Sequence, residues 1–246
     1  MPAASGRPLR IAVPKGALFD DSVRMLAAAG LDTTGLADPG RQLIVRTRDA
    51  EYIIGRPTDI PVYVAYGSAD CAIAGKDVLE EAGLETVELV DLGFGGCRFV
   101  VAEPEGARES VSERLEHLGV VRVATKYPRI TQAHFDRVGV QCEIVKLHGN
   151  IELAPLIGLA DQIVDITATG TTLRENRLRV VAEVLSSTAR FVGNPAAVRT
   201  DPRVLPLADA MSRLSVESAD AGNVPAGGDG AQGAVPSGSG KDTMQP

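Results

Sequence analysis

Apolar residues along this chain fall into short runs, separated by turns rich in glycine and proline, and the runs alternate between strand-like and helix-like spacing. Leu9–Val13 predicts a strand closed by Pro14-Lys15-Gly16. Leu18–Ala29, apolar at Leu18, Val23, Leu26 and Ala27, predicts a helix stopped by Gly30. Leu43–Arg46 and Glu51–Arg56 predict two strands about the turn 47–50, and Pro57–Gly67 a helix. Ala69–Ala74 reads as a buried strand, Gly75–Ala82 as a turn and helix ended by Gly83, and Val87–Leu92 as another strand. Gly93-Phe94-Gly95-Gly96 follows, and Cys97–Ala102 is apolar again. So dense a glycine cluster between strands marks a hinge or a close backbone approach, and a domain boundary is expected there.

From Arg108 the pattern restarts. Val111–Leu118, Ile130–Val138 and Glu152–Leu159 predict helices, alternating with strands at Val120–Thr125, Val140–Leu147 and Ile163–Thr167. Such repetition marks a second α/β lobe. Val180–Leu185 and Ala189–Val192 predict strands that return to the first lobe, and Val204–Leu214 a last helix. The remainder, 215–246, is Gly-, Ser-, Ala- and Pro-rich with almost no large apolar residue, and is expected to be disordered.

Composition narrows the function classes. The 246 residues are 44% hydrophobic, enough for one large core or two small ones. A net charge of −7 argues against nucleic acid as a partner, because phosphate backbones need a basic footprint. It leaves room for an anionic metabolite in a local positive pocket. Cys71, Cys97 and Cys142 form no CxxC, and His117, His134 and His148 have no metal-ligand spacing. No run is apolar enough for a membrane span or a signal peptide, so a cytoplasmic protein without membrane contact is expected.

The chemistry concentrates at Asp165-Ile166-Thr167-Ala168-Thr169-Gly170-Thr171-Thr172, a strand end running into a hydroxyl-rich turn. Gly170 lets the backbone approach an anion, Thr169, Thr171 and Thr172 offer hydroxyls, and a helix starting near Thr171 would add free N–H groups. Asp165 suits sugar hydroxyls or water around Mg²⁺. The same octapeptide also reads as a Thr/Gly turn with a helix N-cap, and the residues alone leave both readings open. Lys15 sits in the Gly turn after the first strand, where α/β folds place ligands. Arg41, Arg46, Arg48 and Arg56 form a local cluster suited to pyrophosphate or triphosphate, with one or two expected to function and Arg56 foremost.

Six segments, in order, resemble one family: Ala12–Gly16 (AVPKG), Arg56–Pro61 (RPTDIP), Ala69–Leu79 (ADCAIAGKDVL), Phe94–Arg98 (FGGCR), Ala124–Pro128 (ATKYP) and Leu147–Leu178, which holds Glu152 and the Thr-Gly-x-Thr loop. Over residues 9–212 the chain resembles the ATP phosphoribosyltransferases, first enzymes of histidine biosynthesis, in their short form. The resemblance implies transfer of the phosphoribosyl group of 5-phosphoribosyl 1-pyrophosphate to adenine N1 of ATP, with Mg²⁺ and release of pyrophosphate.

It further implies a phosphoribosyl pyrophosphate site of Glu152, Asp165, Thr167, Ala168, Thr169, Gly170, Thr171 and Thr172. An ATP site of Lys15, Gly16, Arg41 and Arg56 is implied, with Arg56 and Lys15 catalytic and Mg²⁺ carried by the pyrophosphate. Many relatives carry Arg where this chain has Ala17, which passes the nucleotide contact to another arginine such as Arg41, or to backbone and Lys15. The implied fold is α/β, two lobes like those of type II periplasmic binding proteins. Lobe I would be 1–97 plus 188–214, lobe II 98–187, and 215–246 the disordered tail. The implied partner is a regulatory subunit resembling histidyl-tRNA synthetase, with a homodimer inside a hetero-octamer. The alternative from another class is a non-catalytic bilobal protein that binds a phosphorylated small molecule.

Overall fold

The computed structural model describes residues 6–106, 111–167 and 170–222. The apolar runs become strands of two separate sheets. The first sheet contains β1 (Leu9–Pro14), β2 (Ile44–Arg46), β3 (Ala50–Gly55), β4 (Cys71–Gly75), β5 (Val87–Asp91) and, from far along the chain, a strand at Ala189–Gly193. Every residue of β4 is buried, as a strand covered by helices on both faces must be, and β4 lies inside the sheet beside β1. The helices α1 (Phe19–Ala28), α2 (Ile60–Ala65) and α3 (Lys76–Ala82) connect these strands. Leu26 of α1 packs into the cluster around Ile11, Tyr52 and Phe191 on one face, and Ile60, Val64 and Val78 of α2 and α3 cover Ala72 and Val192 on the other. Fully burying a side chain of this size contributes about 1.5–3 kcal/mol. The chain then crosses at Gly93–Gly96 into the second sheet.

That sheet contains β6 (Cys97–Pro104), β7 (Val121–Thr125), β8 (Cys142–Lys146), β9 (Gln162–Thr167) and β10 (Leu178–Ser187), in the order β10-β6-β9-β7-β8. Its helices are α4 (Val111–Leu118), α5 (Pro128–Val138), α6 (Leu153–Leu156) and α7 (Thr171–Glu175). Ile130 and Phe135 of α5 cover one face, and Ala154 of α6 with Leu173 of α7 covers the other. The return strand β11 (Ala189–Gly193) lies antiparallel between β4 and β5. Outgoing and returning chain touch where they cross, the Ala189 N–H donating to the Phe94 carbonyl at 2.9 Å. The molecule thus has two lobes, each an α/β sandwich with its own core.

Four expectations change. The strand expected at Val180–Leu185 does not return to the first lobe: β10 pairs antiparallel with β6 in the second sheet, and β11 alone crosses back. The helix expected over Glu152–Leu159 contracts to α6, because Gly158 takes a left-handed φ of 73° that ends the helix, while Pro155 sits in its first turn, where proline is tolerated. Asn194-Pro195, a pair that by residue type alone reads as punctuation between elements, starts a helix, α8 (Pro195–Thr200). The Asn194 side chain accepts from the N–H groups of Ala196 and Ala197 at 2.9 and 3.1 Å, with proline in the first turn. The last helix, α9 (Val204–Gly222), packs Val204, Leu207 and Met211 on the first sheet and continues past Leu214, where the expected disorder begins. The rest of that tail lies outside the described residues.

Candidate functional site

β9 carries Asp165 and ends at Thr167, and the chain turns at Gly170 into α7. The turn is held by the Thr167 Oγ1, which accepts the Gly170 N–H at 2.8 Å. Gly170 takes φ +73°, a conformation that side chains with a Cβ rarely adopt. Leu173, 5% exposed, anchors α7 to the core. The first amides of α7 have no partner within their own helix. Around this turn lies a cavity of about 220 Å³ lined by Glu152, Asp165, Ile166, Thr167, Gly170, Thr171, Thr172 and Leu173. Six of the eight expected phosphoribosyl pyrophosphate residues therefore share one cavity. The other two, Ala168 and Thr169, lie outside the described residues.

Asp165 and Glu152 are the charged groups of this wall, and the Asp165 side chain is 13% exposed. Burial pushes its carboxyl above the usual aspartate range; the Ile166 N–H and Lys126 pull against that shift, and Glu152 adds to it. The Ile166 N–H donates to Asp165 Oδ1 at 2.8 Å. Lys126 Nζ stands 4.0 Å from Asp165 Oδ2. Strand register puts it there: β7 and β9 run parallel with Thr125 beside Val164, so the next residues, Lys126 and Asp165, are neighbours too. Thr125 fixes the turn, donating to the Val164 carbonyl at 2.8 Å and accepting the Tyr127 N–H at 2.9 Å.

The expected ATP and catalytic residues stand elsewhere, on the carboxyl edge of the first sheet. β1 pairs parallel with β3, Pro14 beside Gly55, and the Lys15 N–H donates to the Gly55 carbonyl at 2.8 Å. Lys15 and Arg56 thus leave adjacent strand ends together. β2 pairs antiparallel with β3, and the Ile54 N–H donates to the Leu43 carbonyl at 2.8 Å, a register that carries Arg41 toward Arg56. Gly16 accepts the Phe19 N–H at 2.9 Å and starts the turn into α1. Lys15, Arg41 and Arg56 are exposed, and among the described residues none has a side-chain ion pair. Arg46 and Arg48 lie at the far end of the hairpin, paired to Glu51 at 2.6 Å and Asp49 at 3.0 Å. Lys15, Gly16, Arg41 and Arg56 are not part of the Asp165 cavity.

A second cavity, of about 320 Å³, spans the lobes. Thr58, Val78, Glu81 and Ala82 line it from the first, and Lys126, Tyr127 and His148 from the second. Thr58 lies two residues after Arg56 in the chain, and Lys126 stands beside Asp165. Lys126 is the residue sequence reasoning missed. Its signal was available: a lysine directly after a strand of a parallel pair, the same position that drew attention to Lys15.

A family model described as HisG, ATP phosphoribosyltransferase, matches residues 56–215. The chain is 52% identical over 193 residues to the ATP phosphoribosyltransferase of Rubrobacter xylanophilus, covering 78% of this chain and 89% of that protein. It is 52% identical over 201 residues to that of Moorella thermoacetica, covering 80% and 88%. Among solved structures it resembles the ATP phosphoribosyl transferase (HisG:HisZ) complex of Thermotoga maritima, with a TM-score of 0.71, 32% identity, and coverage of 85% of this chain and 99% of that one. It also shares its fold with the arginine-, lysine-, histidine-binding protein ArtJ of Geobacillus stearothermophilus, at TM-score 0.53 and 12% identity over 87% of this chain and 91% of that one.

Proposed function

The chain belongs to the ATP phosphoribosyltransferase family, and from that premise we propose how its residues divide the work. The family reaction joins adenine N1 of ATP to C1 of 5-phosphoribosyl 1-pyrophosphate and releases pyrophosphate, the first step of L-histidine biosynthesis. The Thr167–Thr172 turn holds the 5-phosphate with neutral donors, and Asp165 and Glu152 accept from the ribose hydroxyls. The observation that carries this reading is the shared cavity of Glu152, Asp165, Thr167 and Gly170–Thr172, a phosphate-sized donor turn with carboxylates at its side.

Lys15, Gly16, Arg41 and Arg56 receive the ATP phosphates, and Arg56 and Lys15 stabilise charge as pyrophosphate departs. The N1 lone pair forms the new bond to C1 while the C1–O bond breaks and its electron pair leaves with pyrophosphate. Neutral adenine has no proton at N1, so the attack needs no general base. A cationic C1 in transit is steadied by the Asp165 carboxylate, and Lys126 orients that carboxylate.

Mg²⁺ carried by the pyrophosphate belongs to the same proposal. Among the described residues no three His, Cys, Asp or Glu side chains converge, while Glu152 and Asp165 line one cavity. One or two carboxylates fit a cation that takes its other oxygens from substrate and water. When bound, it neutralises charge on the leaving group. We assign lobe I to 1–97 plus 188–214 and lobe II to 98–187, in keeping with the first-sheet strand β5 ending at Asp91 and the second-sheet strand β6 starting at Cys97. By analogy with the HisG:HisZ complex of Thermotoga, the chain works with a HisZ-like partner; a regulatory role for that partner, and a homodimer of this chain inside a hetero-octamer, belong to the proposal from the family resemblance alone. No described helix is long and apolar enough to cross a membrane, and a cytoplasmic location completes the proposal.

The test is the purified chain with ATP, phosphoribosyl pyrophosphate and Mg²⁺, alone and with the regulatory subunit, followed by ultraviolet absorbance. Accumulation of phosphoribosyl-ATP is expected, and no product under either condition overturns the reading.

A further inference from the structure

Helix α3 breaks a local rule. Glu80 and Glu81 stand in its last turn, where the negative end of the helix dipole disfavours carboxylates. Glu80 is offset by Lys76, whose Nζ lies 3.1 Å away one turn earlier. Glu81 has its compensation in the other lobe. α5 begins without a side-chain cap of its own: its N-cap residue is Tyr127, and Pro128, next in line, has no N–H to satisfy. The following two amides, of Arg129 and Ile130, donate to Glu81 Oε1 at 3.2 Å and Oε2 at 3.0 Å. A carboxylate from the first lobe therefore caps an eleven-residue helix of the second. The ends fit closely, since a Cβ at Gly83 would lie 2.4 Å from the Arg129 guanidinium.

The other end of α3 is also fastened across the lobes. The Lys76 N–H donates to the Thr188 carbonyl at 3.0 Å, and the Asp77 N–H to Ser187 Oγ at 3.0 Å, both at the returning crossover. α3 is thus pinned to the crossover at one end and to α5 at the other. α5 starts directly after the Lys126–Tyr127 turn, and Glu81 lines the same interlobe cavity as that turn.

We infer that Glu81 is a positioning residue, which by capping α5 holds the lobes at their working separation and sets Lys126 against Asp165. The inference rests on the proposed function for its kinetic part only. Glu81→Ala lowers kcat/KM for phosphoribosyl pyrophosphate by about 10- to 100-fold, the size of a displacement near 1 Å in a reacting site. Glu81→Gln, which keeps the shape and one acceptor, recovers part of that loss, and Glu80→Gln in the same turn leaves the rate unchanged.

Two readouts do not depend on turnover. Hydrogen exchange at the Arg129 and Ile130 amides rises in Glu81→Ala while the later turns of α5 stay protected, and the radius of gyration from X-ray scattering increases. Unchanged exchange and radius in Glu81→Ala overturn the inference. So does a wild-type rate retained in that variant despite faster exchange, because the cap would then be merely structural. If the wild type makes no phosphoribosyl-ATP, the functional reading falls, and exchange and scattering still decide the latch.

Discussion

Burial pushes the Asp165 carboxyl above the usual aspartate range, and its position beside Lys126 and Glu152 explains why the chain keeps it there. The sign follows from linkage. An acid with a raised folded-state pKa contributes stability that is fully present below the unfolded value, 3.8, and lost as pH rises through the folded value. Ionised Asp165 is therefore a burden on folding at neutral pH. Asp165→Asn should raise Tm at pH 7, with the gain shrinking as pH falls toward 3.8. The same variant should raise KM for phosphoribosyl pyrophosphate by about 10- to 100-fold, since a hydrogen bond to a charged group is worth about 1.5–3 kcal/mol. A Tm that drops at pH 7 would show Asp165 to be structural. Arg56→Ala should lower kcat at least about tenfold and leave Tm within a degree or so, because the side chain is exposed and has no ion pair among the described residues. At this scale residue type and position along a strand were the signals for Lys15, Arg56 and Asp165, and the variants above test the proposed roles of the last two. The sequence was silent on Lys126, whose partner is set by register with a strand 39 positions away.

Elements were legible wherever a run was apolar enough to commit. β4 and β9 stand where expected: β4 is buried throughout and apolar throughout, and β9 keeps the apolar pair Ile163-Val164 at its buried start although Asp165 follows. The misses have local causes. α6 is cut short at Gly158, whose left-handed φ interrupts a run whose apolar spacing still looks helical. The apolar run alone sent β10 to the first lobe, against the bounds 98–187 implied for lobe II by the resemblance, because sheet membership depends on β6, which precedes it by some seventy residues. α8 was missed because Asn194-Pro195 reads equally as a turn or as a cap and first residue. The cap is testable in isolation. Asn194→Ala removes two acceptor contacts to α8 and the 2.9 Å bond from Nδ2 to the Val64 carbonyl, and should cost about 1–2 kcal/mol, read as a lower denaturation midpoint with an unchanged slope. Asn194→Asp keeps the acceptor and loses the donor, so it should fall between the two.

At the scale of the molecule, the two halves of the proposed site belong to different lobes: the Thr/Gly cavity to the second, the cationic edge of Lys15, Arg41 and Arg56 to the first. That proposed division rests on which sheet carries each motif, whereas the closeness of the lobes depends on contacts such as Glu81 to α5 that no single segment reveals. It makes a distinction between ligands. Inorganic phosphate can occupy the cavity alone, while phosphoribosyl pyrophosphate carries anionic groups at both ends and can touch both lobes. A ligand that binds only the folded state stabilises by RT ln(1 + [L]/Kd), about 2.7 kcal/mol at a hundredfold excess over Kd. At matched multiples of Kd both ligands give that gain to whatever unit they hold. Phosphate should therefore protect the β7–β10 amides of the second lobe from exchange, and phosphoribosyl pyrophosphate with Mg²⁺ should also protect the strand ends at Lys15 and Arg56. The first-lobe protection should weaken with added salt, because exposed cations in a protein of net charge −7 act through a screened field. Protection confined to the second lobe under both ligands would mean that the cationic edge serves ATP alone, and would remove Arg56 and Lys15 from pyrophosphate departure.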